Sequence, residues 1–137
     1  KYPETKTKIE EIKRIVAPTD TANLVKIYNW EYSYYKAVSN FLEAKTLVES
    51  EAYSQIYKNN NYNLIYIKIA TYFYLQDYNK VIELGKDFIA AADSQNPEQE
   101  MKQFEGHGWT GLFYIACSFK NIGKIEEYNK YLQFLMK

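Results

Sequence analysis

The stretch ACSFKNIGKIEEYNKYLQFL, residues 116–135, decides the fold. Small or apolar residues recur every three or four positions on both sides of Gly123, as in two amphipathic helices joined by a tight turn. The residues that carry this pattern are Ala116, Phe119, Gly123, Ile125, Tyr128, Leu132 and Leu135. The spacing predicts a helical hairpin.

Two earlier stretches show a similar order of residues. The first reads Val25, Tyr28, a turn, then Tyr34, Ala37, Phe41 and Ala44. The middle one reads Ala70, Phe73, a turn at Gln76-Asp77-Tyr78 that is one residue shorter, then Val81, Gly85 and Phe88. Because two antiparallel helices cannot bury their apolar stripes alone, such pairs stack on one another. The repeated pattern therefore predicts about three helical hairpins.

Helix boundaries follow from the caps and from the residues that break helices. Neither Gly nor Pro occurs between Pro18 and Gly85, and no period-2 alternation indicates strands, so the fold class is all-α. Thr19 or Asp20 is expected to cap the second helix. The predicted helices are 8–17, 20–32, 37–48, 62–75, 78–92, 109–120 and 125–136. We expect the third to run on through Ala52 and Ile56 as an over-long second helix, and a short acidic helix to begin at Asn96-Pro97 and to be interrupted at Gly106-His107-Gly108.

The segment YYKAVSNFLEA, residues 34–44, resembles the second helix of a tetratricopeptide repeat, and residues 116–123 resemble the first helix and turn of that family. The resemblance implies one domain over residues 1–137, built as an irregular solenoid of antiparallel hairpins with a short N-terminal helix. The repeats cover about 18–51, 63–96 and 109–137, with inserts at 52–62 and 97–108. The repeat spacing is therefore about 45 residues, against 34 in the family. Most of the family's Trp, Leu and Gly set and its closing Pro are missing or displaced.

The same resemblance implies a protein-binding scaffold that holds, and stabilises, a peptide segment or helix of another protein in the groove of the first helices. The partner-binding positions it carries over are Lys26, Asn29, Trp30, Thr71, Tyr74, Phe113, Cys117 and Lys120. The family's two-Lys, two-Asn carboxylate clamp is not reproduced, since Ala22 and Lys26 stand at clamp positions. The composition is also similar to tetratricopeptide-like proteins of bacterial envelopes, including spirochaetal ones, which leaves envelope, periplasm and cytoplasm open.

Three other functions remain open from the residues alone. One is a client-specific secretion or envelope chaperone of the same fold. Another is a self-associating structural module or homo-oligomer, because no helix follows the apolar end of the chain at Leu132, Phe134, Leu135 and Met136. The third is an enzyme or small-molecule binder that uses a helical cavity. Since the chain begins at Lys1 and not at Met, we expect a processed form or a fragment.

Charge and hydropathy argue against two classes of partner. Lys plus Arg and Asp plus Glu each number 17, and Arg14 is the only Arg, so no basic surface for nucleic acid is predicted. No apolar run approaches the roughly 18 residues that a membrane-spanning helix needs. The 15 Tyr fit either an AT-rich genome or a Tyr-lined binding surface.

Candidate residues for chemistry are few. His107, between two glycines, is expected to be a turn residue, and Cys117, inside an apolar helix, a core thiol. With His107 expected in a turn and Cys117 in the core, no pair of nucleophile and general base is expected, and one His and one Cys cannot build a Cys- or His-rich zinc site within one chain. No phosphate loop, dinucleotide motif or calcium loop occurs. The sequence therefore predicts no catalytic residue, no metal and no cofactor.

Overall fold

The computed structural model describes residues 2–137, with side chains from residue 4 onward. In this part of the chain the backbone forms helices and turns and no β-strand, which confirms the all-α class. The α-helices are α1 (Tyr2–Ile15), α2 (Thr21–Ala37), α3 (Phe41–Val48), α4 (Glu51–Ile56), α5 (Asn61–Tyr74), α6 (Tyr78–Leu84), α7 (Lys86–Ala92), α8 (Pro97–Met101), α9 (Gly108–Asn121) and α10 (Ile125–Leu135), with a 3-10 segment at Lys102–His107.

Two compact units divide the chain, Lys1–Asn61 and Tyr62–Lys137. In the first unit, α2 packs against α1, α3 and α4. Polar side chains cap three of these helices, since Asp20, Asn40 and Ser50 each accept a hydrogen bond from a backbone N–H three residues later. The capping by Asp20 was predicted and is confirmed. The buried apolar side chains of this unit are Ile9, Ile27, Tyr35, Ala44, Leu47, Val48, Tyr53 and Tyr57.

In the second unit, α9 is the central helix and packs against α6, α7, α10 and the 3-10 segment. Its core contains Ile69, Val81, Phe88, Met101, Phe104, Leu112 and Ile115. Two glycines allow this close packing. A Cβ added at Gly85 would lie 2.3 Å from Ile115 Cδ1, and one added at Gly111 would lie 2.3 Å from Phe88 Cε2. Gly85 also separates α6 from α7.

The same turn joins α2 to α3, α5 to α6 and α9 to α10. In each, the residue at the turn has a positive φ: 56° at Ser39, 63° at Gln76 and 85° at Gly123. The N–H of the next residue donates to the carbonyl five positions earlier, at distances of 2.8, 3.0 and 2.9 Å. This is the Schellman pattern, in which a left-handed residue lets the chain reverse while satisfying the last helical carbonyls.

This turn corrects several sequence predictions. In the first hairpin, Tyr34 and Ala37 belong to α2 and not to the second helix, which begins at Phe41. In the middle hairpin, Tyr72 and not Phe73 is the equivalent of Phe119, so the turn is not one residue shorter. The prediction of an over-long second helix is wrong, because Ser50 caps a separate α4. Helix α1 starts at Tyr2 and not at residue 8. Pro97 does open α8, but Asn96 makes no side-chain cap.

Candidate functional site

The second unit carries a cluster of aromatic side chains between α5 and α9. Tyr114 lies at its centre. Its ring centroid is 6.2 Å from that of Tyr74, 6.4 Å from that of Tyr66 and 6.5 Å from that of Phe113, and the hydroxyl oxygens of Tyr74 and Tyr114 are 3.4 Å apart. We call Tyr66, Tyr74, Phe113 and Tyr114 the α5–α9 aromatic face.

Helical spacing explains why these residues share one side. Tyr66 and Tyr74 are two turns apart on α5, and Phe113 and Cys117 are one turn apart on α9. Tyr74 and Phe113 keep 44% and 48% of their surface exposed, while Cys117 is half-buried. At one end His107 stacks on Tyr66, with ring centroids 4.4 Å apart and planes 21° apart. An exposed, ordered aromatic surface results.

The electrostatics of this face are simple. The only charged residues of α5 and α9 are Lys68 and Lys120, and neither helix contains a carboxylate. Burial raises the pKa of the Tyr66 phenol. Burial also raises the pKa of the Cys117 thiol, although the charge of Lys120 opposes this. Because the thiolate is the reactive form, this upward shift of the pKa disfavours reaction at Cys117.

The first unit carries a different surface, a groove between α1 and α2 with a volume of about 420 Å³. Its lining residues are Thr5, Lys8, Ile9, Ile12, Trp30, Ser33, Tyr34 and Ala37. Trp30 keeps 53% of its surface exposed although it lies in an apolar lining. Lys26 lies one turn before Trp30 on the same side of α2. We call this surface the α1–α2 groove.

The opposite side of α2 holds a buried ion pair. Glu31 is 4% exposed, and Lys13 of α1 donates to its two carboxylate oxygens at 2.9 and 3.2 Å. Burial lowers the pKa of Lys13, but the hydrogen bonds and charge of Glu31 outweigh it and the net shift is upward. Lys13 Nζ also lies 5.1 Å from the ring centroid of Tyr28. The only carboxylate of α2 is thus neutralised and out of reach of a partner.

The residues predicted for partner binding lie in separate places. Tyr74 and Phe113 are brought together on the α5–α9 aromatic face. Trp30 lines the α1–α2 groove, and Lys26 is one turn before Trp30 on α2. Lys120 extends instead toward α10, with its Nζ 5.2 Å from the ring centroid of Tyr128. Of the other three positions, Cys117 is half-buried one turn after Phe113, and Asn29 makes a hydrogen bond within the first unit. Thr71 is buried, which corrects the sequence prediction for that residue.

Thr71 is fully buried and donates to the carbonyl of Ile67 at 2.8 Å, so it cannot contact a partner. Asn29 accepts a hydrogen bond of 2.6 Å from the hydroxyl of Tyr57, which ties α2 to the end of α4. The sequence prediction missed Tyr66, Tyr114 and the α1 side of the groove. The i, i+8 spacing of Tyr66 and Tyr74 was a signal for the first. The predicted first helix already contained Lys8, Ile9 and Ile12, but no local pattern showed that it forms a groove with α2.

The last helix is less apolar on its outer side than the sequence suggested. Tyr131 is buried, and Tyr128, Phe134 and Leu135 pack against the core of the second unit. Ile125 and Met136, at the two ends of α10, are large apolar side chains that stay exposed. Self-association through α10 would therefore have only a narrow strip to use.

In the described part of the chain, no group of three or more His, Cys, Asp and Glu residues is arranged to hold a metal ion. None of the helices there is long and apolar enough to cross a lipid bilayer. The chain matches no known family model, and no curated protein and no solved structure is significantly similar to it.

Proposed function

We propose that this chain is a protein-binding module and not an enzyme. It holds a segment of a partner protein on exposed surfaces of the first helix of each hairpin. The observation that carries the proposal is the α5–α9 aromatic face. Exposed single apolar residues are ordinary on a protein surface, but a contiguous aromatic group is typical of an interaction site.

Tyrosine suits such a site for a physical reason. Its ring gives a large rigid contact area at a small cost in side-chain entropy, and its hydroxyl can still form a hydrogen bond. Tyr, Trp and Phe are accordingly enriched at the centres of interfaces. The face also contains no carboxylate, so apolar contact is not opposed by the cost of burying negative charge. A peptide segment or a helix of the partner is the occupant that this surface fits.

We also propose that the hairpins are repeats of the tetratricopeptide type. Three turns of identical hydrogen bonding support this, and so does the residue pattern around them. An aromatic residue stands four positions before each positive-φ residue, at Tyr35, Tyr72 and Phe119, and an apolar residue stands two positions after it, at Phe41, Tyr78 and Ile125. One helix–turn–helix unit therefore recurs in register along the chain.

Affinity capture from lysate of the source cell tests the proposal. The baits are the wild-type chain, the double variant Tyr74→Ser/Phe113→Ser, and the matched control Ile125→Ser/Met136→Ser, which removes two exposed apolar residues at the ends of α10 instead. We expect one protein to be retained by the wild type and the control and lost by the face variant, with helical circular dichroism unchanged. The proposal fails if no protein is retained, or if all three baits retain the same proteins equally.

A further inference from the structure

The α1–α2 groove has a chemical character of its own. Its apolar lining includes Ile9, Ile12, Tyr34 and Ala37, and the indole of Trp30 in the same lining is more than half exposed. A groove of about 420 Å³ is in the size range of pockets that hold a ligand or the anchoring side chains of a peptide. An exposed Trp in a concave apolar lining is the arrangement found at binding hot spots.

The lining of the groove carries positive charge and no negative charge. Lys8 is the only charged residue in its lining. Lys26 continues the groove along α2, one turn before Trp30. Neither lysine has an ion-pair partner among the residues that the structure describes. By contrast, the neighbouring Lys13 is held by Glu31 on the opposite side of α2. Two unpaired ammonium groups thus border an apolar groove that has no carboxylate in its lining.

We propose that the α1–α2 groove binds an acidic amphipathic segment of a partner protein. The apolar side chains of the segment fill the groove against Trp30, and its Asp or Glu side chains pair with Lys8 and Lys26. Apolar contact provides most of the affinity, while the lysines select against neutral and basic segments, since charged rims contribute mainly to specificity and to the rate of association. The proposal rests on the protein-binding function and names the chemistry of the partner.

A random-peptide library displayed against the whole 137-residue chain tests this with peptides of unbiased composition. We expect the selected peptides to be rich in apolar residues and to carry a net negative charge. Their binding is then measured with the Trp109→Phe variant, in which Trp30 is the only tryptophan. Groove occupation should shift its emission to shorter wavelength, because the half-exposed indole becomes buried.

Charge reversal supplies the matched comparison. The variant Lys8→Glu/Lys26→Glu should weaken the selected peptides by about tenfold, because two exposed attractions become repulsions. The control Lys86→Glu/Lys102→Glu makes the same change in net charge on exposed lysines of the second unit and should leave affinity within about twofold. Peptides in which Lys replaces Glu should bind the Lys8→Glu/Lys26→Glu variant again.

The outcomes separate this inference from the proposed function. The groove proposal is overturned, while protein binding stands, if the selected peptides are not acidic. The same holds if the peptides bind Lys8→Glu/Lys26→Glu as tightly as the wild type but lose binding to Tyr74→Ser/Phe113→Ser. If no peptide is selected and no partner is captured, both fail. A single-stranded DNA oligonucleotide that shifts the Trp30 emission where the acidic peptides do not would also overturn the proposal.

Discussion

At the scale of single residues, the Lys13–Glu31 pair shows how a buried charge is tolerated. Glu31 has been moved out of water into the packing between α1 and α2, and such a carboxylate is stable only with a close counter-charge. Lys13 provides it while keeping about a quarter of its own side chain exposed. The pair therefore fixes how α1 lies on α2, and with it the walls of the α1–α2 groove.

Removing one partner should cost more than removing both. We expect Lys13→Met to lower the free energy of unfolding by roughly 2–3 kcal/mol, because Glu31 is left buried without its counter-ion. The double variant Lys13→Met/Glu31→Leu should recover most of this loss, since apolar replacements of a buried pair are often close to neutral.

Urea denaturation followed by circular dichroism provides the measurement, arranged as a double-mutant cycle. Lys80→Met is the matched control, because the Lys80–Glu83 pair is exposed and should contribute less than about 0.5 kcal/mol. Single and double variants that lose stability additively would contradict the account of the pair.

At the scale of elements, Gly111 lets α9 approach α7. A glycine inside a helix is ordinarily unfavourable, and replacing it by Ala ordinarily stabilises by about 0.5–1 kcal/mol. Here the added methyl group would meet the ring of Phe88, which stacks on Phe104 with ring centroids 4.1 Å apart and cannot yield easily.

We therefore expect Gly111→Ala to destabilise the chain by about 1–3 kcal/mol, the usual cost of overfilling a packed core. Gly106→Ala is the control, because no atom lies within 4 Å of a Cβ at that position. Thermal unfolding of both variants makes the comparison. A Gly111→Ala protein as stable as wild type would show that α9 and α7 are not packed as described.

The three turns give a second prediction for the elements. Gln76 adopts a left-handed conformation that strains a residue with a Cβ, whereas Gly123 adopts it without strain. Gln76→Gly should therefore raise the free energy of unfolding by roughly 0.5–1 kcal/mol, while Gly123→Ala should lower it by about 1 kcal/mol. Opposite signs in urea denaturation would confirm the shared turn. Two changes of the same sign would contradict it.

These turns also show what could be read from the sequence and what could not. The Gly123 turn was predicted correctly, because glycine marks a left-handed position directly. At Ser39 and Gln76 the same conformation carries no such mark, so the first two hairpins were placed out of register. The break at Ser50 was missed because the apolar spacing continues across it, and a local hydrogen bond to Ser50 decides the boundary.

At the scale of the whole molecule, buried tyrosines make the fold sensitive to alkali. Burial, reinforced by Glu31, raises the pKa of Tyr35 to about 12, and burial also raises the pKa of Tyr53, Tyr66 and Tyr131. A raised pKa means that the folded state prefers the neutral phenol. The stability linked to these groups is fully present below about pH 10, the unfolded value, and is lost as pH rises through the folded value.

We expect the free energy of unfolding to fall steeply between about pH 10 and 12. Tyrosinate absorbance and circular dichroism, recorded on the same samples, are the measurements. Tyr35→Phe keeps the ring but removes the titrating group, so its stability should fall less over this range. An equal fall in the two proteins would contradict the assignment to Tyr35.

The two candidate surfaces were only partly predictable from sequence. Tyr74, Phe113 and Trp30 were carried over from the repeat resemblance, and all three side chains are exposed in the structure. Thr71 was placed wrongly, since its burial depends on packing that no local pattern shows, and Tyr114 was missed because its role comes from contacts with α5. Lys8 was missed as a groove residue because the sequence did not show which helix packs against the first helix.

Site-specific photo-crosslinking tests the central claim, that the α5–α9 aromatic face holds a partner protein, most directly. A benzophenone amino acid is placed at Phe113 or, as a control, at the exposed Asn79 of α6, and both chains are irradiated in lysate of the source cell. We predict one discrete adduct from position 113 that is absent at position 79 and is lost when Tyr74→Ser is added. No adduct at position 113, or the same adducts at both positions, would contradict the account.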